Sequence, residues 1–269
     1  MTEEKLSLDG LVFEAVEIDV RDHVMTLTLN RPDEKNAINL AMANELIYAL
    51  DHAAQESSVR VVVIAAKGDV FCSGGDLKMM SGAAKPSTST VPVRGDAGDI
   101  SRRIRNLYKP VIVKVQGPVL AGALLMVCNA THVIASEKAH FSAPEIKRGL
   151  WPYMVMASLF RVTPARTGLD FIMRGYRIDA QTAVRYGLAN QVVAHDELDD
   201  TVAALAQELA ELAPGTMRLG LEAYRKQEDL TMEQALPYLQ EMLAKTIASP
   251  DAREGITAFI QKRKPVWPQ

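Results

Sequence analysis

Cysteine is scarce. Two cysteines and 6% aromatic residues in 269 positions do not make a disulfide scaffold. Charge of one sign is lacking as well. Thirty Lys and Arg stand against 33 Asp and Glu, a net charge of −3, so a broad nucleic-acid surface is excluded and only a local basic patch is left open. No run of about 18 uncharged apolar residues occurs, which argues against a spanning helix and membrane insertion. The first twenty residues, MTEEKLSLDGLVFEAVEIDV, carry early acids and no apolar signal core. Secretion is not indicated, and the expected compartment is the cytoplasm. Familiar motifs are missing too. Neither GxGxxG nor GxxxxGK[ST] occurs, so nothing points to a dinucleotide or P-loop site. His23, His52, His132, His140 and His195 form no HExxH or other metal-ligand spacing, so no metal is expected. GxSxG is absent, although Ser73-Gly74-Gly75 superficially suggests a serine turn.

What remains is ordinary globular material, 48% apolar and 23% charged, enough for one sizeable core. Val12 to Ile18 alternates as a strand with both faces partly buried. His23 to Leu29, rich in β-branched residues, is a second, ended by the turn Asn30-Arg31-Pro32-Asp33. A helix starts near Asn39 with Ala43, Leu46, Ile47, Leu50 and Ala54 on one face. Val61 to Ile64 is an almost uninterrupted apolar run, which suits a strand covered on both sides. Val111 to Val115 and His132 to Ala135 are further strands. Residues 81–98, rich in Ser, Thr, Pro, Gly and Ala, predict a long mobile loop. Residues 141–152 predict another loop, and 154–173 a helical region. Beyond residue 196 the period changes. Leu198, Val202, Leu205, Leu209 and Leu212 recur at helical spacing, and Pro214-Gly215 closes that helix. Thr231 with Gln234 resembles a capping box, and Ser249-Pro250 suits the start of a last helix. The organisation is therefore an α/β core over 1–196 and a helical extension over 197–269, whose apolar stripes need a surface such as a neighbouring subunit.

Two segments share one form, a buried strand running into a glycine-rich turn: VVVIAAKGDVFCSGGDLKMM and VIVKVQGPVLAGALLMVCNA. Glycine permits close approach of the backbone to a ligand, and amides at a helix start stabilise an oxyanion. Gly75 and Gly122 are the candidate donors; tight turns needed only for packing are the alternative. Glu145 lies between apolar residues beside Pro144, where desolvation would raise its pKa into a range useful for proton transfer. A surface partnership with Lys147 or Arg148 is the alternative. Asp76 suits a helix cap. Cys72 and Cys128 suit small packed hydrophobes; Cys72 as a nucleophile has no sequence-local partner.

In this order and spacing the segments resemble the enoyl-CoA hydratase/isomerase family, the crotonase superfamily, over nearly the whole chain. LNRPDEKNAINLAMANEL, FCSGGDL, QGPVLAGALL, SAPEIKRGL, RIDAQTAVRYGLANQVV and SPDAREGITAFIQKRKPVW carry the resemblance. It implies an α/β fold, a crotonase-like spiral of β-β-α units with a C-terminal helical extension for trimerisation and CoA cover. It implies a homotrimer, or a hexamer as a dimer of trimers. The substrate class is acyl-CoA thioesters, with coenzyme A carried by the substrate and no separate cofactor. The thioester carbonyl would accept from the amides of Gly75 and Gly122. Lys35, Ala37, Ser73 and Asp76 map near the CoA surface. Lys262 and Phe259 lie on the terminal helix, to meet phosphate and to line the acyl or pantetheine region, or else to form an interface.

One departure bears on the reaction. Family hydratases use two glutamates, one of them three positions after the second oxyanion glycine. Here Glu145 is kept and the other position is Leu125, which can neither hold water nor transfer a proton. The resemblance then points to an enoyl-CoA double-bond isomerase with Glu145 as a single proton shuttle. A hydratase or lyase of altered mechanism, and a non-catalytic acyl-CoA-binding protein, are the alternatives. After Glu145 the chain reads WPYMVMASLF in place of a glycine-rich family segment, so Trp151, Tyr153 and Met154 are candidates to line and narrow the acyl pocket. The loop over 81–98 would close over the acyl end.

Overall fold

A computed structural model describes residues 5–80 and 86–268. Its main sheet has six strands, β1 (Val16–Arg21), β2 (Val24–Leu29), β3 (Val61–Ala66), β4 (Val111–Val115), β6 (His132–Ser136) and β9 (Gln191–Val193), in the order β1-β2-β3-β4-β6-β9. Only the β1–β2 pair is antiparallel. A second sheet of three short strands, β5 (Val119–Leu120), β7 (His140–Ser142) and β8 (Arg177–Asp179), lies in the order β5-β7-β8. From β3 to β6, each main-sheet strand feeds a short segment at the small sheet and then a helix, the β-β-α spiral expected from the resemblance. β4 runs to β5 and α4 (Leu124–Val127). β6 runs to β7 and, after a 3-10 turn at Pro144–Arg148, to α5 (Tyr153–Val162). The equivalent segment after β3 is Cys72, joined to Val119 by a single parallel bridge, followed by α2 (Leu77–Met80) and α3 (Asp99–Arg105).

Alternation across the strands divides the core in two. Val62, Ile64, Val113, Val133 and Ala135 join the larger cluster with α1 (Leu40–Gln55). Val61, Val63, Ile112, Ile134 and Val193 face the other way and meet α8 (Leu198–Ala210). This explains the uninterrupted apolar run at 61–64: both faces are covered. It also assigns the stripe after residue 196. Leu198 and Val202 are buried against the chain's own sheet, so this helix needs no neighbouring subunit to cover it. Helix α1 is buried along most of its length, and Asn39 caps it by accepting from the Met42 amide at 2.8 Å, a contact generally worth about 1 kcal/mol. Ala54 is exposed and Ala53 is the buried residue of that last turn.

Several boundaries differ from the sequence reading. The first strand begins at Val16 rather than Val12, because the buried Glu45 carboxylate accepts from the amides of Glu14 and Ala15 just before it, and from that of Val16 at its first residue. The 141–152 loop contains the end of β7 and the 3-10 turn. The helical stretch at 154–173 is two helices, α5 and α6 (Ala165–Arg174), broken at Thr163-Pro164, where the residue before proline leaves helical space. Between α6 and α8, Asp179 caps α7 (Ala180–Tyr186). Of the loop at 81–98, residues 81–85 lie outside the described residues. Residues 86–98 are tied down: Thr88 donates to Glu14, Asn44 donates to the carbonyls of Val91 and Pro92, and Arg94 pairs with Asp51 at 2.6 Å. Pro214 opens a helix instead of closing one. It is the first residue of α9 (Pro214–Gln227), where its missing N–H costs nothing. The capping box at Thr231 opens α10 (Met232–Ile247), and Ser249-Pro250 opens α11 (Pro250–Ile260) as expected. No described helix is long and apolar enough to cross a membrane.

Candidate active site

The small sheet brings the candidate groups together. Cys72 pairs in parallel with Val119, and Val119 with Phe141. Three segments thus run side by side in the same direction, about 4.8 Å apart from one to the next. Each ends in one group of interest. Gly75 follows Cys72 by three residues, Gly122 follows Val119 by three, and Glu145 follows Phe141 by four. All three leave the same end of the sheet.

The two amides are neighbours in detail. A Cβ built on Gly122 would lie 3.4 Å from the Gly75 nitrogen, and one built on Gly74 would lie 3.0 Å from the Gly122 nitrogen. At Ile38 the chain bridges to Gly75 through the atoms on either side. Ile38 donates to the Gly74 carbonyl at 2.8 Å, and Asp76 donates to the Ile38 carbonyl at 2.9 Å. The Gly75 amide is outside that pair, and a Cβ at Gly75 would meet nothing within 4 Å. Gly122 is the middle residue of a 3-10 turn at Ala121–Ala123, where amides have no partner inside the turn. Gly74 has φ +90 and Ala121 has φ +52. The left-handed backbone at Gly74, packed on Leu120 and Ala121, is what lets the two loops touch. Only Gly75 and Gly122 stood out in the sequence; a left-handed alanine leaves no signal there.

Glu145 sits in the 3-10 turn at Pro144–Arg148, half-buried. Its Oε2 is buried without a hydrogen-bond partner. Burial raises its pKa above the usual carboxylate range, opposed by its own backbone amide and by Arg148. Among the described residues no ion pair joins it to Lys147 or Arg148 at salt-bridge distance. A desolvated carboxylate with a lone pair free is suited to accepting a proton. Leu125 is 2% exposed in α4, so the position of a second acid is apolar core. Cys72 is fully buried and its thiol is pushed up to about 12 by that burial, which removes it as a nucleophile.

The loop before α1 flanks Gly75. Lys35 is exposed, with φ +53, and its carbonyl accepts from the Ser73 amide at 3.0 Å. Ala37 is half-buried, and its carbonyl accepts from Arg31 Nη1. Asn36, missed in the sequence, is fully buried; its amide donates to the carbonyls of Lys67 and Val70 and accepts from the Arg31 amide. It fixes the loop that carries Lys35 and Ala37. Asp76 is occupied: Oδ2 lies 3.2 Å from Arg31 Nη2, and Oδ1 accepts from the Lys78 amide at the start of α2. The capping role read for it in the sequence holds. Trp151 is packed against the core and donates to the Met156 sulfur at 2.9 Å. Tyr153 and Met154 are exposed at the start of α5, and a Cβ on Gly98 would lie 3.2 Å from the Met154 sulfur. Phe259 is 85% exposed on α11, and Lys262 is exposed just beyond it. Among the described residues no group of acids, histidines or cysteines could hold a metal ion.

Residues 19–269 match the model of the family Enoyl-CoA hydratase/isomerase. The chain is similar to enoyl-CoA hydratase domain-containing protein 3, mitochondrial, from Rattus norvegicus, 31% identical and covering 92% of this chain and 82% of that protein. Mevalonyl-coenzyme A hydratase of Aspergillus fumigatus is 33% identical, over 91% of each chain. Carnitinyl-CoA dehydratase of Escherichia coli is 32% identical, over 94% of this chain and 98% of that protein. A crystal structure of enoyl-CoA hydratase from Mycobacterium smegmatis superposes with a TM-score of 0.86 at 30% identity, over 94% and 99% of the two chains. These relatives also correct the expected compartment. Those from rat, mouse, human, Xenopus laevis and Danio rerio are mitochondrial, so the cytoplasmic reading of the first twenty residues does not stand. Composition at an N-terminus carries too little to fix a compartment. Fold, motif order and relatives agree: the chain belongs to the enoyl-CoA hydratase/isomerase family of the crotonase superfamily and is an acyl-CoA-processing enzyme.

Proposed function

We propose that the chain is an enoyl-CoA hydro-lyase, adding water to a 2-enoyl-CoA or removing it from the 3-hydroxyacyl-CoA, with Glu145 as its single proton-transfer group. The observation that carries the reading is the parallel register that sets Gly75, Gly122 and Glu145 at one end of three adjacent segments. The thioester oxygen accepts from both amides, which acidifies C2 and stabilises the enolate. In the dehydration direction Glu145 takes the C2 proton. The enolate electron pair then forms the C2=C3 double bond as the C3–O bond breaks and its pair leaves with the oxygen, to which Glu145 returns its proton to make water. One carboxylate suffices because both transfers occur on one face, and its raised pKa suits both roles. The names of the fungal and bacterial relatives, a hydratase and a dehydratase of CoA thioesters, support this direction.

Double-bond isomerisation is the second reading, and Leu125 favours it. A buried leucine holds no water, and moving a proton from C2 to C4 needs none. Lys35, Ala37 and Ser73 form the CoA surface in either case. Phe259, exposed on α11, and Lys262, exposed just beyond its end, reach CoA or its acyl chain on a neighbouring subunit of a trimer or hexamer. The test is a panel of 2-enoyl-, 3-enoyl- and 3-hydroxyacyl-CoA thioesters followed in deuterated water. Hydration puts the hydroxyl on C3 with one deuterium at C2. Isomerisation leaves no new oxygen and labels C2 or C4. Inertness of every thioester despite CoA binding would overturn both readings.

A further inference from the structure

A cavity of about 340 Å³ lies at the opposite end of the main sheet from the candidate active site, where the chain enters β3 and β4. It sits between that end of the sheet, the junction of α8 with α9, and the start of α11. Its walls are largely apolar, with Val59, Leu209, Leu212, Met217, Pro250 and Pro268 among them. Three cations line it, Arg60, Lys109 and Arg218, against one carboxylate, Asp251. Asp251 is spoken for: its Oδ2 accepts from the Thr216 amide at 2.9 Å. Two of the cations are bound to backbone carbonyls. Lys109 Nζ donates to the carbonyls of Ala53, Glu56 and Val59, and Arg60 donates to the carbonyl of Ala210. Arg218 has only a 3.8 Å approach to Glu222. Burial, with a further contribution from Arg218, lowers the Lys109 pKa to about 8, opposed by Glu56.

Excess positive charge on a small apolar cavity is complementary to one class of ligand. We propose that this cavity is a second binding site, separate from the acyl-CoA site, for a monocarboxylate with a short apolar body. Arg218 meets the carboxylate, Lys109 and Arg60 add positive field from behind their carbonyl partners, and the Leu209–Leu212 and Met217 walls take the hydrocarbon. The volume is near the lower end for small-molecule sites, about 300 Å³, which suits a medium-chain acid and excludes CoA. The C-terminal tail closes one side. Trp267 donates to the Glu211 carbonyl at 2.6 Å, and the Val266 amide donates to Glu254 at 2.7 Å. Trp267 is thus an internal reporter beside the cavity.

The test is titration of the full chain with octanoate, read by calorimetry and by tryptophan fluorescence, with octanol as the uncharged control. The expected result is saturable 1:1 binding of octanoate that persists in excess CoA, and octanol binding at least about tenfold weaker. Arg218→Gln, at a half-exposed side chain, should weaken octanoate by about tenfold or more, the scale of one charge-assisted hydrogen bond. Leu212→Asp, which puts a negative charge on the wall, should abolish binding. Unaltered acyl-CoA binding by both variants reports that they are folded. No saturable binding, equal affinity for octanol, indifference to Arg218→Gln, or displacement of octanoate by CoA would each overturn the proposal.

Discussion

Gly122→Ala separates catalysis from folding. Gly122 is outside the left-handed region, so alanine can adopt its backbone. The added methyl makes contacts of 3.4, 3.7 and 3.9 Å with Gly75 and Gly74, which are ordinary to slightly tight. Removing a glycine from the unfolded ensemble generally contributes about 0.4–1 kcal/mol, so melting should stay within a few degrees of the parent, at roughly 2–4 °C per kcal/mol. Activity should not survive so well. An oxygen held by the Gly75 amide must sit about 2.9 Å from its nitrogen, and the methyl at 3.4 Å intrudes on the shell where that oxygen belongs. Losing one such donor costs about 10²–10³ in kcat. The assay is turnover of a 2-enoyl-CoA beside thermal unfolding of the same sample. Native melting with kcat/KM unchanged would refute the shared oxyanion site.

Gly74→Ala should fail by the other route. Its φ of +90 and a Cβ 2.7 Å from that of Ala121 combine a left-handed penalty of about 1–2 kcal/mol with overpacking of about 1–3 kcal/mol, so chemical denaturation should show a loss of about 2–5 kcal/mol. Glu45→Ala leaves three amides without their acceptor, at about 1–3 kcal/mol for each one that stays buried; calorimetry should find a clear fall in melting temperature, and an unchanged Tm would mean water replaces the carboxylate. Glu145→Gln should abolish turnover, and its stability should depend on pH in a defined sense. Burial raises the carboxyl pKa in the folded chain, so between the unfolded and folded values the native state binds more protons. Wild-type stability from this group is therefore full below the unfolded pKa and lost as pH rises through the folded one. The glutamine variant lacks that loss, so it should gain on the parent as pH rises; a pH-independent difference would remove the desolvation argument.

Long elements were legible in the sequence and short ones were not. The helix at Asn39, the covered strand at 61–64 and the caps at Thr231 and Ser249 each had a period or a capping residue to read. Strands β5, β7 and β8 have two or three residues, too few for a period, yet their pairing assembles the site. Gly75, Gly122 and Glu145 were each singled out by residue type and apolar surroundings. Their convergence belongs to the register of Cys72, Val119 and Phe141, separated in sequence and adjacent only in the fold. The stripe at 198–212 was read with the right period but without the surface that covers it, here the chain's own sheet, because a period shows that a face is buried and not what buries it.

The account rests on one thioester oxygen held by two backbone amides beside one carboxylate. A crystal structure of Glu145→Gln with a bound 2-enoyl-CoA tests it directly. The account predicts the thioester oxygen about 3 Å from the nitrogens of both Gly75 and Gly122, with the residue 145 side chain facing C2 and C3. An oxygen bonded to neither amide, or a residue 145 side chain turned away from the acyl carbons, would contradict it.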